Sequence, residues 1–347
     1  MQVFGRIGGE GHEQVVFCQD ARTGLRAIIA IHSTVLGPAL GGTRFHPYER
    51  EDEALEDVLR LARQMTYKSA AAGLDLGGGK AVILGDPACH RTEALLESYA
   101  RFVDSLGGRY VTAEDVGTTQ DDMDLIRTVT RHVTGVSPSL GGSGDPSAAT
   151  AYGVWRAMEA VAARLWGSRR LAGRHVVISG VGKVGSMLAR HLASAGARLT
   201  VSDVRAAAVD RVADDVGAEI VHPDKAHATE CDIFSPCALG SVLSPATIAE
   251  LRCAAVVGSA NNQLADPTSP ARLAEAGVVY VPDYIASAGG VVNIADELAG
   301  YDADRAHRAL DRIFDTTAGV LAAAEAGAIT TVQAADRLAE SRLAAAR

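Results

Sequence analysis

One short stretch limits what this chain can fold into more than any other. The apolar run His175 to Ser179 leads directly into Gly180-Val181-Gly182-Lys183-Val184-Gly185, and a helical pattern follows from Val181 to Ser194. Glycines at that spacing, between a strand and a helix, form a dinucleotide-binding turn. The first permits the tight turn, the second lets a pyrophosphate approach the backbone, and the third lets helix and strand pack closely. The helix start adds unpaired N–H groups and a partial positive charge for the phosphates. The next strand, Arg198 to Ser202, is followed by Asp203. A carboxylate there accepts hydrogen bonds from ribose hydroxyls and repels a 2′-phosphate, which favours NAD over NADP. Arg205, close by, works against that preference. A glycine-rich turn without a ligand is the plain alternative, and the strand, helix and acid in their places argue against it.

The rest of the chain supplies the context of such a turn. Its 347 residues favour two domains, and 48% hydrophobic content is ample for two cores. Leu25 to His32 and Lys80 to Leu84 read as strands. Leu55, Val58, Leu59, Ala62 and Met65 fall on one face of a helix over Glu53 to Ala72. Thr92 to Leu106 reads as a helix and Tyr110 to Ala113 as a short strand. The Ser-, Gly- and Pro-rich run Ser137 to Pro146 marks a hinge. Beyond a helix over Ala148 to Leu165, strands at Ile233–Phe234, Ala255 to Gly258 and Val278 to Val281 continue the βαβ rhythm, which implies a parallel sheet covered on both faces. Arg305 to Arg347 reads as helical throughout. The expected fold is α/β: an N-terminal α/β catalytic domain, residues 1–138 with 326–347 packing back on it, and a Rossmann-type doubly wound domain, residues 139–325.

Charge and composition exclude several classes. A formal net charge of −9 is wrong for a nucleic-acid partner. No run approaches the ~18 apolar residues of a membrane span, and Met1 to Gln14 lacks the apolar core of a signal peptide. Five scattered cysteines without a CxxC pair suit buried thiols in a reducing cytoplasm. The ten histidines look isolated and structural, so no metal is expected.

A second chemical signal is the segment MTYKSAAAGLDLGGGKAVILGDP, which carries Lys68 and Lys80. Three glycines before Lys80 let a ligand or another backbone come close. A lysine among apolar groups loses its proton more easily and can act as general base or attack a carbonyl. A phosphate-binding P-loop is ruled out by Leu74 and Ala81. Two lysines reaching out to solvent remain the bland alternative. Ala113-Glu114-Asp115-Val116-Gly117-Thr118 adds an acidic turn after a strand, which on its own is equally a helix cap or a loop.

Taken together, LGPALGGTR at 36–44, YKSAAAGLDLGGGKAVILGDP at 67–87, TAEDVGT at 112–118, SGVGKVG at 179–185, SPCALG at 235–240, GSANNQL at 258–264 and PDYIASAGGVVN at 282–293 resemble the glutamate/leucine/phenylalanine/valine dehydrogenases. The resemblance runs over nearly the whole chain and is greatest to the leucine and valine branch. It implies that Lys68 pairs with a substrate α-carboxylate, helped by N–H groups of a turn at Gly41 and Gly42. Lys80 then activates water, and Asp115 exchanges protons with the amino group and departing ammonia. Asn262 would lie near substrate and nicotinamide, Thr150 at the carboxamide, and Cys237, Ala238 and Ala260 along the cofactor. Arg44 is open between a cofactor contact and a structural ion pair. Leu40, Ala113, Val291 and Ile294 would line an apolar side-chain pocket, the last two sharing one helical face.

The resemblance thus implies reversible, NAD-dependent oxidative deamination of valine, leucine and isoleucine to 2-oxo acids and ammonia, by a cytoplasmic homo-oligomer whose domains close over the substrate. The alternatives are a phenylalanine dehydrogenase of the same family and a catalytically silent NAD-binding protein of the same fold. Intact Lys68, Lys80 and Asp115 argue against the silent one.

Overall fold

The computed structural model describes residues 3–238 and 240–346. By its internal contacts the chain forms two compact units. One holds the residues up to Asp145, Val291–Ala306 and the stretch from Ala339. The other holds Pro146–Gly290 and His307–Leu338. This division differs from the expected limits, and side-chain bonds within each unit explain it. In the first unit Glu297 accepts hydrogen bonds from the N–H groups of Gly135 and Ser143, which ties both segments together. Arg342 there donates to the Ala70 carbonyl and pairs with Asp75 at 2.7 Å. In the second unit the hydroxyls of Tyr152 and Tyr284 donate to Asp311 and Asp336. Only the end of the tail therefore belongs to the first unit.

The first unit is built on five strands: β1 (Gln14–Asp20), β2 (Leu25–Ser33), β3 (Ala39–His46), β4 (Gly77–Leu84) and β5 (Tyr110–Glu114). Their order is β1-β2-β4-β3-β5. β1, β2 and β4 pair antiparallel, whereas β4, β3 and β5 run parallel. β2 is buried along almost its whole length, as expected of a central strand covered on both faces. On one face the helix Glu51–Ala71 buries Ala54, Leu55, Val58, Leu59 and Ala62 against Ile28, Ala30 and Val82. On the other, the helix Glu93–Ser105 buries Leu95, Leu96, Tyr99, Ala100 and Val103 against Ile29, Ile31, Ala81 and Ile83. Alternate residues of β2 and β4 thus feed opposite cores, the period of two that a strand imposes.

The second unit has a six-stranded sheet of β6 (His175–Ser179), β7 (Arg198–Ser202), β8 (Glu219–Ile220), β9 (Cys231–Pro236), β10 (Cys253–Val256) and β11 (Val279–Tyr280). The order is β11-β10-β9-β6-β7-β8, and every pair is parallel. The order reverses at β6, whose neighbours β7 and β9 leave in opposite directions. Ligands of open α/β sheets bind outside the carboxyl ends of the strands at such a switch point.

Three expectations need correction. The tail is not one helix. It breaks between Ala303–Gly327 and Thr331–Ala345, with Ala328 in the left-handed region at φ 47°. Thr330 starts the second helix by a reciprocal cap with Gln333. The histidines are not all isolated, since the rings of His12 and His32 meet edge to face with centroids 4.8 Å apart. The thiols are not uniformly buried: Cys18 is, Cys89 is exposed, and the other three are half-buried. Among the described residues no single helix is long and apolar enough to cross a membrane.

Candidate active site

Lys80 lies within β4, and the strand begins three residues earlier than the pattern suggested, at Gly77. Glycine is a poor strand former, which hid the start. The glycines serve close approach of backbone. A Cβ on Gly78 would lie 2.0 Å from the amide nitrogen of Thr66 in the helix Glu51–Ala71. One on Gly41 would lie 1.7 Å from the Gly79 carbonyl oxygen. Helix and neighbouring strand therefore press directly on the segment that ends in Lys80. Lys68 sits half-buried in the last turn of that helix.

Gly41 and Gly42 are not in a turn. They lie inside β3, paired in register with Thr112 and Ala113 of β5. On the opposite side the β3–β4 ladder keeps one register but records no pair between Leu40 and Thr43, so both glycines fall at a gap in the ladder next to Lys80. The Tyr110 hydroxyl, buried beneath them, donates to the Gly41 carbonyl at 2.6 Å. Leu40 and Ala113 are buried in β3 and β5, and Val291 and Ile294 are buried in the helix Gly289–Asp296.

Asp115 follows β5 directly, and its amide N–H donates to the Thr118 hydroxyl at 2.9 Å. Its Oδ2 lies 3.0 Å from Lys80 Nζ, with the two side chains only 6% and 17% exposed. The same oxygen accepts from Arg44 Nε at 3.0 Å. Arg44 Nη1 pairs in turn with Asp57 at 2.8 Å, and the Tyr48 hydroxyl donates to that carboxylate at 2.7 Å. Of the two roles open to Arg44, the structure displays the ion pair. Asp57 and Tyr48 were not identified from sequence. Asp57 borders the apolar face of its helix, beside Val58, and that is the one local signal it carries.

Burial pushes the Lys80 ammonium toward losing its proton. The Asp115 carboxylate opposes this, the Arg44 charge adds to it, and the net direction is down from the ordinary value. Burial would raise the Asp115 carboxyl, but Lys80 and Arg44 outweigh it and keep Asp115 ionised. The site thus places a buried amine of weakened basicity against a fixed carboxylate, a pair fitted to exchange protons.

This arrangement sets the sign of a pH effect. An amine accepts a proton only when unprotonated, so with Lys80 as the base kcat/KM should fall as pH drops through its pKa. Asp57 helps to hold the proton on Lys80. Asp57→Asn should therefore move the acid limb of the profile to lower pH, by up to about one unit, because a carboxylate within ~4–6 Å shifts its neighbour by about 1–3 units and Asp57 acts through Arg44. Initial rates across pH for both proteins check this, and a limb that stays in place or moves upward contradicts it.

In the second unit the glycine turn has the form its sequence implies. Gly180 has φ 103°, and a Cβ on it would meet Ala238 at 2.6 Å. One on Gly185 would lie 2.0 Å from the Gly180 carbonyl oxygen. The helix begins at Lys183 rather than Val181, because Gly180 to Gly182 form the turn. Gly182 caps the helix with no side-chain bond to its first N–H groups, and Val184 follows in its first turn. Those donors suit an anion, and a Cβ on Gly182 would meet only the Arg205 guanidinium, at 3.9 Å, which leaves room for a pyrophosphate. The Asp203 carboxylate accepts from the Val181 amide at 2.9 Å and from Arg205 Nε at 3.2 Å. Burial would raise its pKa, yet the bonds from Arg205 and Val181 hold it below the usual range. Cys237 N–H donates to Ser179 and Ala260 N–H to Pro236, which sets both loops at the carboxyl ends of β6 and β9. Thr150 donates to the Pro146 carbonyl. Asn262 stands in the left-handed region at φ 54°, a conformation asparagine tolerates better than most residues. Among the described residues no group of three or more His, Cys, Asp or Glu is placed to hold a metal.

Comparison with known proteins matches the chain to two family models. One, described as "Glu/Leu/Phe/Val dehydrogenase, dimerisation domain", covers residues 12–132. The other, "Glutamate/Leucine/Phenylalanine/Valine dehydrogenase", covers residues 141–218 and 205–347. The chain is 51% identical to leucine dehydrogenase of Thermoactinomyces intermedius, over 99% of its own length and 94% of the relative's. It is also 51% identical to valine dehydrogenase of Streptomyces coelicolor, over 97% and 93%. Among solved structures, L-tryptophan dehydrogenase from Nostoc punctiforme superposes with a TM-score of 0.87 at 41% identity, covering 99% of both chains.

Proposed function

The chain belongs to the glutamate/leucine/phenylalanine/valine dehydrogenase family, and from the groups it assembles we propose that it is an NAD-dependent dehydrogenase of branched-chain L-amino acids. It deaminates leucine, valine and isoleucine oxidatively to 2-oxo acids and ammonia, and it runs the reductive amination in reverse. Its likeness to leucine and valine dehydrogenases over nearly full length supports this branch over a phenylalanine enzyme. The observation that carries the chemistry is the buried 3.0 Å contact of Lys80 Nζ with Asp115 Oδ2.

Bound NAD supplies the acceptor for the hydride of the substrate α-carbon. Lys68 and the N–H groups of Gly41 and Gly42 hold the α-carboxylate. Lys80 Nζ, as free amine, takes a proton from the water that attacks the substrate imine carbon. Asp115 Oδ2 exchanges protons with the amino group and with ammonia as it leaves. Low water access strengthens these interactions. Leu40, Ala113, Val291 and Ile294 form an apolar pocket for the side chain. The turn Gly180 to Gly185, with Val181, Lys183 and Val184, cradles the pyrophosphate, and Asp203 takes the ribose hydroxyls. Thr150, Cys237, Ala238, Ala260 and Asn262 line the nicotinamide half. The first unit is the catalytic and oligomerising part of a cytoplasmic homo-oligomer, in keeping with the dimerisation-domain match over residues 12–132.

A panel of kcat/KM values tests this reading. Leucine, valine and isoleucine should exceed phenylalanine by roughly tenfold, since about 1–3 kcal/mol accompanies one methylene in an apolar pocket. Glutamate should be poorest, because its buried side-chain charge would lack a partner at a cost of several kcal/mol. NAD should outperform NADP, and Asp203→Ser should narrow the gap. Highest activity on glutamate, or equal use of both cofactors by the wild type, contradicts it.

A further inference from the structure

Two cysteines that look unrelated in sequence meet in the second unit. β9 and β10 are neighbouring parallel strands, and Cys231 faces Cys253 in register. Each is the first residue of its strand. The two side chains stand close enough to act on each other's titration, and both residues are half-buried at the border of the second unit's core. Neighbouring strands lie about 4.7–4.9 Å apart, inside the roughly 4.4–6.8 Å between Cα atoms that a disulfide spans. The other cysteines lack this arrangement. Cys18 is packed in the core of the first unit, Cys89 lies beside Asp86, and the Cys237 thiol meets the Ser235 hydroxyl.

We propose that Cys231 and Cys253 form a dithiol redox site, which a peroxide oxidises to an intramolecular disulfide. Cys253 is the attacking sulfur. Pairing with Cys231, helped by the backbone at Phe234 and Ala255, outweighs burial and holds the Cys253 thiol below its ordinary value, whereas pairing and burial push the Cys231 thiol up. The Cys253 thiolate attacks one peroxide oxygen and the O–O bond breaks. This leaves a sulfenic acid on Cys253, while the second oxygen departs and takes a proton to become water. Cys231 then gives up its proton, its sulfur attacks the sulfenic sulfur, and hydroxide leaves to become a second water. In sum two thiols lose two electrons and two protons, and the peroxide is reduced to two waters. The pair lies at the amino ends of the strands. The glycine turn after β6 and the Cys237 loop after β9 are at the opposite edge of the sheet, about 20 Å away along β9. The site is therefore distinct from the dinucleotide turn. Its disulfide closes a loop of chain that contains Cys237 and Ala238.

The test treats folded wild-type protein with hydrogen peroxide, blocks the remaining thiols, and maps peptides by mass spectrometry without reduction. The expected product is a peptide linked through Cys231 and Cys253. Loss of free thiol should be greatest at Cys231 and Cys253, ahead of the more exposed Cys89, because only that pair has a partner to form the bridge. In Cys231→Ser the linked peptide should vanish and a sulfenic-acid trap should label Cys253. Preferential oxidation of Cys89, with Cys231 and Cys253 still freely alkylated in folded protein, overturns the proposal. So does trap labelling of Cys231 in Cys253→Ser at the rate seen for Cys253 in Cys231→Ser, because neither sulfur would then be the designated nucleophile.

Discussion

Lys80→Ala is expected to lower kcat by about 10²–10⁴-fold, the usual contribution of a general base, with folding and NADH binding intact. The structure explains why fold and chemistry should separate here. Removing Lys80 does not orphan Asp115, whose Oδ2 keeps its 3.0 Å bond from Arg44. Arg44 in turn remains anchored by Asp57 at 2.8 Å. Lys80 itself belongs to neither apolar core, to which β4 contributes Ala81, Val82 and Ile83. The groups proposed to bind NADH, the glycine turn and Asp203, belong to the second unit. Steady-state turnover, fluorescence titration with NADH and far-UV circular dichroism check the three parts separately. If the variant keeps more than about a tenth of wild-type kcat, Lys80 is not the base.

Asp115→Asn is expected to be nearly as damaging to turnover and also to weaken the fold. Asparagine keeps the shape but not the charge, so Lys80 and Arg44 would face one another without the carboxylate between them. Removing one partner of a buried ion pair costs about 3–5 kcal/mol. Lys80 can relieve part of this by shedding its proton, since Asp115 is the main group that holds it there. The variant should therefore lose stability and also lose the carboxylate proposed to return protons to the amino group. A fall of about 10²-fold or more in kcat, with a lowered urea midpoint, is the expected outcome. Turnover within tenfold of wild type would show that Asp115 does not carry protons in the reaction.

What the sequence disclosed and what it hid divide along a physical line. The glycine turn was legible because its strand, turn, helix and acid follow one another within residues 175–203, and each has a local pattern. Lys80 and Asp115 were legible through the strings around them. Contacts made across the fold were not. The triple glycine suited either a ligand or another backbone, and only the fold shows which backbones: Ser33 on β2 and Thr66 on a helix would lie 1.9 and 2.0 Å from a Cβ on Gly77 and on Gly78. Gly41 and Gly42 suggested a turn, but β3 continues through them because flanking Leu40 and Thr43 pair with β4. Asp57 and Tyr48 carry no motif, and only the reach of Arg44 reveals them. The facing of Cys231 and Cys253 depends on strand register, which no local pattern records. The break in the tail did leave a trace that went unused, the capping pair Thr330 and Gln333.

The most direct test of oxidative deamination follows three products in one reaction of the wild-type protein with L-leucine and NAD. NADH absorbance, released ammonia and the 2-oxo acid should rise together in equal amounts, and adding ammonia with the 2-oxo acid should drive NADH back down. NADH formed without ammonia would mean that hydride leaves a substrate other than an amine, and no NADH at all from leucine, valine or isoleucine would contradict the account outright.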